Sequence, residues 1–239
     1  VASLVGSEMC IRDSCDIADK NLIKKFNKKK IVKGFTTNPS LMRKAGAKDY
    51  KSYSLDILKI TNKPVSCEVF ADDEKNMIKQ GININKWGKN VYVKVPIFNS
   101  KGKFMGKVIK SLNEKNIKLN ITAVYTSNQT RQILKKINKT TKVIISIFAG
   151  RMADVGKDPI FEIKNSIKLA KKYKNVQILW ASTREPYNYL QAQSLGCHII
   201  TVPPTIIEKI ENFGKSYNAL TIDTVKGFLK DSKKSNFRI

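Results

Sequence analysis

Seven short runs rich in β-branched residues recur along the chain, and longer lysine-rich amphipathic stretches separate them. The runs lie at residues 31–37, 64–70, 90–96, 117–125, 142–148, 175–181 and 197–203. Runs that are apolar throughout are typical of strands buried on both faces, and parallel strands need a crossover helix between them. The alternation therefore predicts an α/β fold built on a parallel sheet.

An eighth strand is predicted ahead of these runs, ending near Cys15 and Asp16. Eight strand–helix units in one chain of this length indicate a single (β/α)8 barrel, the TIM barrel. A doubly wound open sheet is the alternative, but the Gly-rich turn that usually follows its first strand is missing. We expect the barrel over residues 15–218 and a C-terminal helix and tail, a possible oligomer contact, over residues 219–239.

The formal net charge of +26 suggests a nucleic-acid-binding protein without catalysis, because lysine and arginine neutralise phosphates. Only 6 of the 45 basic residues are arginine, the residue that reads base edges and grips phosphate with two hydrogen bonds. The lysines are also spread evenly along the chain. A solvated surface is therefore favoured, with no specific nucleic-acid partner.

Cysteine and histidine usage argues against a zinc site. The four cysteines are Cys10, Cys15, Cys67 and Cys197. They form no C-x-x-C pair, and the single histidine, His198, cannot complete a metal centre. We expect reduced thiols, a cytoplasmic location and no metal. We also expect no membrane span, which needs about 18 apolar residues, and no signal peptide in residues 1–14.

Lys94 stands in the middle of the apolar run VYVKVP. A buried lysine without a partner costs several kcal/mol or loses its proton. A neutral amine can attack a ketone, and the resulting iminium is an electron sink. Lys94 is thus a candidate Schiff-base nucleophile. The alternative is a structural lysine paired with Glu68.

Polar residues occur where the predicted strands end, and a (β/α)8 barrel gathers these ends at one mouth. They are Asp16, Asn38, Glu68, Asn120, Thr122, Arg151, Ser182 and Arg184. Carboxylates there could transfer protons, Thr122 could orient a water molecule, and the two arginines could hold a phosphate. Structural alternatives are a helix cap for Asp16, a turn for Asn38 before Pro39, and caps for Ser182 and Arg184.

Five segments carry a resemblance to a known family. They are GFTTNPSLMRKAG, VYVKVPIFNSKG, LNITAVYTSNQT, ISIFAGRMADVGKD and WASTREP. In this order and spacing they resemble the transaldolase family, in its branch of short-chain transaldolases and fructose 6-phosphate aldolases. The similarity runs from about Cys15 to about Lys230.

The resemblance implies a transaldolase of the pentose phosphate pathway that works without a cofactor and moves a dihydroxyacetone unit. It places the Schiff base on Lys94, acid–base roles on Asp16 and Glu68, and water orientation on Thr122. Substrate contacts would come from Asn38, Asn120, Phe148, Arg151, Ser182 and Arg184. The implied substrates are fructose 6-phosphate, sedoheptulose 7-phosphate, erythrose 4-phosphate and glyceraldehyde 3-phosphate.

Two features bear on the reaction and the assembly. The aldolases of this branch, which release dihydroxyacetone, carry tyrosine where this chain has Phe148 and glutamine where it has Glu68. Transaldolase is therefore favoured and aldolase is the alternative. Residues 219–234 resemble the terminal helix of a branch that forms pentamers or decamers, so a homo-oligomer is expected.

Residues 1–14 depart from the family pattern. Arg12, Asp13 and Ser14 occupy the place of a short apolar strand and make a poor central barrel strand. The segment SLVGSEMCIRDS resembles a stretch that recurs in translated metagenomic reads and derives from sequencing adaptor. We therefore expect residues 1–14 to be non-native, although Asp16 stays in frame with the family.

Overall fold

Eight parallel strands close into one barrel in sequential order. The computed structural model describes residues 12–235. The strands are β1 (Arg12–Asp16), β2 (Val32–Thr36), β3 (Val65–Glu68), β4 (Val91–Pro96), β5 (Leu119–Val124), β6 (Val143–Ile147), β7 (Val176–Trp180) and β8 (Ile199–Val202). Strand β1 pairs with both β2 and β8, which closes the sheet. The predicted (β/α)8 barrel is confirmed, and each strand from β2 to β8 falls inside its predicted run.

Helices follow the strands, and each of the first ten buries at least one residue, while the last buries none. They are α1 (Lys20–Asn27), α2 (Pro39–Lys44), α3 (Tyr50–Ile60), α4 (Glu74–Asn85), α5 (Gly106–Glu114), α6 (Ser127–Leu134), α7 (Ala149–Ala153), α8 (Ile160–Ala170), α9 (Tyr187–Ser194), α10 (Pro204–Ile210) and α11 (Tyr217–Ser235). Within residues 12–235, no helix is long and apolar enough to cross a membrane.

The burial pattern explains the abundance of lysine. Helix α1 buries Ile23 and Phe26 against the barrel, while its lysines Lys24 and Lys25 are exposed. The strands themselves are almost fully dry, and all residues of β6 are buried. The hydrophobic effect therefore fixes the inner face of each helix, and the outer faces carry solvated charge.

Strand β1 forms despite its polar sequence, because β2 and β8 supply hydrogen-bonding edges on both sides. The register with β2 shifts between Asp13 and Ser14. Asp13 is completely buried, and neither of its carboxylate oxygens has a hydrogen-bond partner within the described residues. Loss of water raises the pKa of Asp13 to about 7, although Lys33 partly offsets this effect. The expectation of a non-native segment concerns mostly residues 1–11, which lie outside the described residues, as does Cys10.

Helix α11 has no buried residue along its 19-residue length. Among its apolar side chains, Val225, Phe228 and Leu229 are more than half exposed. An apolar helix face of this size without intramolecular packing is typical of a protein–protein contact.

Candidate active site

A cavity of about 690 Å³ opens at the carboxyl ends of the strands. Its lining includes all the predicted site residues, namely Asp16, Asn38, Glu68, Lys94, Asn120, Thr122, Phe148, Arg151, Ser182 and Arg184. They come from seven strands or the loops that follow them, so the barrel topology alone brings them together.

Lys94 projects from β4 into the barrel and is 7% exposed. Its Nζ atom lies 3.1 Å from Oε2 of Glu68 and 3.3 Å from the carbonyl oxygen of Thr37. Glu68 and Lys94 are register partners on adjacent strands. The ammonium therefore has a carboxylate and a carbonyl as partners, which makes its burial tolerable.

Asp16 ends β1 beside this pair. Burial raises the pKa of Asp16, while the charge of Lys94 and a hydrogen bond from Thr36 act in the opposite direction. The Thr36 hydroxyl donates to Oδ1 of Asp16 at 2.8 Å and lies 2.6 Å from the hydroxyl of Thr201. Because Thr36 has one hydroxyl proton and gives it to Asp16, Thr201 must donate to Thr36.

Asn120 and Thr122 lie on the same face of β5. The Asn120 side chain donates to the Ser66 hydroxyl at 3.0 Å and accepts from the Ser146 hydroxyl at 2.6 Å. Two neighbours thus fix the orientation of this amide. The buried Thr122 hydroxyl, in contrast, has no partner within residues 12–235. It is available to a water molecule or a substrate hydroxyl.

The far side of the mouth carries positive charge. The guanidinium of Arg151 lies 5.5 Å from the centre of the Phe148 ring, within cation–π range. The Nε hydrogen of Arg184 is shared between the two carboxylate oxygens of Asp154, at 2.9 and 3.2 Å, and Nη2 donates to Oδ2 of the same carboxylate at 2.5 Å. This pairing lowers the pKa of Asp154 and raises that of Arg184, so both groups remain charged.

Gly150 and Ser182 lie where α7, which bears Arg151, approaches the loop that bears Arg184. Ser182 has a φ of 64°, in the left-handed region. A Cβ atom placed on Gly150 would lie 1.6 Å from the carbonyl oxygen of Ser182. Only glycine fits here, because any side chain would push α7 and this loop apart.

The structural alternatives for single residues have different outcomes. Asn38 does cap α2, since its side chain accepts a hydrogen bond from the Leu41 amide at 2.9 Å. Asp16 caps no helix, because Asp19 takes that position in α1. Helix α9 begins after Pro186 without a side-chain cap, so Ser182 and Arg184 do not cap it. Lys94 does pair with Glu68, as the structural alternative supposed.

Several site residues were not predicted. Thr36, Ser146 and Thr201 line the cavity, while Ser66 and Asp154 are hydrogen-bond partners of Asn120 and Arg184. Strand periodicity could have found Ser66, which precedes Glu68 by two residues and therefore shares its face. No sequence signal distinguishes Asp154 from the other exposed acids, because its partner Arg184 is 30 residues away.

The described residues contain no group of three or more His, Cys, Asp or Glu side chains that could hold a metal ion. Cys15, Cys67 and Cys197 are buried and free. Burial raises the pKa of each thiol to about 12, so these cysteines stay protonated and are poor nucleophiles. These cysteines therefore supply no thiolate nucleophile to the mouth.

Solved structures with the same architecture include inosine 5′-monophosphate dehydrogenase from Legionella pneumophila, with a TM-score of 0.58 at 12% identity. That match covers 82% of this chain and 58% of the other. The flavin-binding domain of baker's yeast flavocytochrome b2 matches with a TM-score of 0.54 at 13% identity, over 81% of this chain and 56% of the other. At such low identity these likenesses show the barrel fold alone.

Sequence relatives are more informative. A protein of Methanococcus maripaludis named "Probable transaldolase" is 33% identical over 217 residues, which cover 90% of this chain and 94% of the relative. Proteins of the same name from Nitrosopumilus maritimus and Thermoanaerobacter sp. are 34% and 30% identical. These matches cover 92% and 94% of this chain, and 93% and 98% of the relatives. The family model described as Transaldolase/Fructose-6-phosphate aldolase matches residues 14–239. The chain therefore belongs to the transaldolase/fructose-6-phosphate aldolase family.

Proposed function

We propose that this protein is a transaldolase that transfers a dihydroxyacetone unit between sugar phosphates through a Schiff base on Lys94. The observation that carries the proposal is the position of this lysine. Its Nζ atom is nearly dry, faces the mouth cavity and lies 3.1 Å from a carboxylate that can take up its proton. A neutral amine in that place can attack the ketone of a ketose phosphate.

The proposed reaction begins when the Lys94 amine adds to the ketose carbonyl and water leaves, which gives an iminium ion. Asp16 then accepts the proton of the C4 hydroxyl while the bond between C3 and C4 breaks, and the electron pair moves into the iminium to form an enamine. The aldose phosphate departs. In the second half, the enamine attacks an acceptor aldehyde, Asp16 returns the proton to the new alkoxide, and water hydrolyses the iminium. Glu68 assists the proton transfers at nitrogen, and the free hydroxyl of Thr122 orients the water.

We assign contact with the dihydroxyacetone unit to Asn38 and Asn120, and contact with the phosphate to Arg151, Ser182 and Arg184. The two guanidinium groups offer several charge-assisted donors at one end of the cavity. Replacement of Arg184 by alanine should raise KM for fructose 6-phosphate about tenfold or more and leave the handling of free dihydroxyacetone nearly unchanged. Equal losses on both substrates would indicate a structural role.

Transfer is favoured over release because the side chain beside the expected enamine is Phe148, which has no hydroxyl to protonate it. Phe148→Tyr should therefore gain release of dihydroxyacetone from fructose 6-phosphate without an acceptor. The wild type should be nearly inactive in that assay. Efficient cleavage by the wild type would make the protein a fructose 6-phosphate aldolase instead.

We also propose that the barrel assembles as a homo-oligomer through α11, in keeping with its exposed apolar face. Phe228, which is 70% exposed, is the natural position to test. Phe228→Asp should shift sedimentation toward the monomer. A cytoplasmic role in the pentose phosphate pathway follows from the proposed substrates.

The decisive experiment for the function combines a coupled assay with chemical trapping. Fructose 6-phosphate should be consumed rapidly only when erythrose 4-phosphate is present. Borohydride added with fructose 6-phosphate should attach a dihydroxyacetone-derived mass to the peptide that contains Lys94. Lys94→Arg should abolish both signals, because a guanidinium stays protonated. A label on another lysine would refute the assignment.

A further inference from the structure

The hydrogen-bond ladder between β2 and β3 changes partner at the mouth of the barrel. The Phe35 amide donates to the Pro64 carbonyl at 2.8 Å, and the Thr37 amide donates to the Ser66 carbonyl at 3.2 Å. In a parallel ladder the next bond would run from the Glu68 amide to the Thr37 carbonyl. The Glu68 amide donates instead to the hydroxyl of Tyr50, at 2.8 Å.

This exchange has a second effect, on Lys94. The Thr37 carbonyl, which the ladder would otherwise use, accepts a hydrogen bond from Lys94 Nζ at 3.3 Å. The same ammonium contacts Oε2 of Glu68. The hydrogen bond from the Glu68 amide to Tyr50 therefore affects both Glu68, which makes it, and Lys94, which gains the Thr37 carbonyl.

Tyr50 reaches the end of β3 from outside the barrel. It is the first residue of α3, and its ring packs at 5.4 Å from the ring of Phe70 and at 5.9 Å from that of Trp87. Burial raises the pKa of its hydroxyl, which therefore stays protonated and neutral. The ring contacts do not involve the hydroxyl, so phenylalanine should occupy this position without disturbing the packing.

We propose that Tyr50 is a positioning residue for the reaction. Its hydroxyl anchors the backbone of Glu68 at the end of β3 and leaves the Thr37 carbonyl available to Lys94. Without the hydroxyl, the Glu68 amide turns to that carbonyl, its ordinary ladder partner, and competes with the ammonium for it. The inference rests on the proposed function, because that function gives Glu68 and Lys94 their chemical roles.

The test compares Tyr50→Phe with Tyr53→Phe. Tyr53 lies on the same helix, is also half-buried, and donates its hydroxyl to the Ala45 carbonyl at 3.2 Å, away from the strands. Tyr50→Phe should lower kcat for transfer from fructose 6-phosphate to erythrose 4-phosphate about tenfold, as expected when one orienting hydrogen bond is lost, with KM nearly unchanged. Tyr53→Phe should behave as the wild type. Equal losses in the two variants, or none in Tyr50→Phe, would overturn the proposal.

Crystal structures of both variants give a measurement that does not depend on activity. In Tyr50→Phe, the Glu68 nitrogen and the Thr37 carbonyl oxygen should close to about 3 Å, and Lys94 Nζ should move away from that oxygen. An unchanged geometry would refute the inference whatever the kinetics. If the wild type fails the transfer assay but this rearrangement occurs, the proposed function is wrong while the anchoring of Glu68 stands.

Discussion

Strand β1 contains two desolvated aspartates, one with stabilising partners and one without a hydrogen-bond partner in the described part of the chain. Burial raises the pKa of both Asp13 and Asp16. Asp16, at the mouth, receives the Thr36 hydroxyl and the favourable charge of Lys94. Asp13, three residues earlier, has no hydrogen-bond partner for either oxygen in the described part of the chain. Burial is therefore common to the two carboxyl groups, and their hydrogen-bond and charge partners distinguish them.

The cavities beside Asp16 and Asp13 also differ, in volume and in lining. Asp16 opens onto the mouth cavity of about 690 Å³, whereas Asp13 lines a cavity of about 60 Å³ together with apolar residues such as Phe35 and Leu179. Asp13 also lies just before the first residue that the family model matches. We infer that the desolvated carboxyl group at the carboxyl end of β1 is stabilised by its partners, whereas the one at the start of β1, which has no hydrogen-bond partner within residues 12–235, destabilises the strand.

The largest expected contrast is in activity. Asp16→Asn removes the proposed proton acceptor and should lower kcat for transfer roughly 100-fold or more. Asp13→Asn, matched in chemistry and strand, should stay within about twofold of the wild type, because Asp13 does not line the mouth cavity. Steady-state kinetics of the two variants tests this prediction, and similar losses of kcat in both would contradict it.

The next contrast is in stability. The pKa of Asp13 is raised to about 7 in the folded protein, so its proton is released more readily after unfolding. The free energy of unfolding therefore falls as pH rises from about 4 to about 7, because Asp13 releases its proton in the unfolded protein but keeps it in the folded one, and it levels off above about pH 7. A shift of about 3 units corresponds to ~4 kcal/mol, and Asp13→Asn should abolish this pH-dependent loss. Urea unfolding of both proteins between pH 5 and 8 tests it, and parallel pH curves would contradict it.

The smallest contrast concerns the tuning of Asp16. Thr36→Val removes a hydrogen bond that lowers the pKa of Asp16, so the acidic limb of the rate profile should move to higher pH. Thr36→Ser keeps the hydroxyl and serves as the control. The profile of kcat/KM against pH measures the shift. If serine and valine shift the limb equally, lost packing rather than the hydroxyl is responsible.

Sequence alone was sufficient for the barrel because its evidence is repeated and local. Seven of the eight strands lie in runs rich in apolar residues, such as VIISI in β6, and the helices between them are amphipathic, as in α1 with buried Ile23 and Phe26. The mouth followed from topology, since the carboxyl ends of parallel strands converge. Lys94 is identified by its position in the apolar run VYVKVP, where a charged side chain is unexpected.

What the sequence could not supply were contacts between distant residues. The pairing of Arg184 with Asp154 and the hydrogen bond from the Glu68 amide to Tyr50 join segments that show no mutual pattern. The polar start of β1 was expected to make a poor strand, yet it pairs on both sides. The backbone of a polar residue pairs as well as that of an apolar one. The unfavourable effect is the burial of the Asp13 carboxylate, which raises its pKa.

The close approach of Gly150 to Ser182 limits how the proposed phosphate site around Arg151 and Arg184 can be redesigned. A library meant to accept unphosphorylated sugars could vary Arg184, whose side chain is half exposed, without altering the backbone. Position 150 allows no such freedom, because even an added methyl group would collide with the neighbouring loop. Variation at Gly150 would move Arg151 and Ser182 together, so a change in substrate preference there could not be separated from a change in loop geometry.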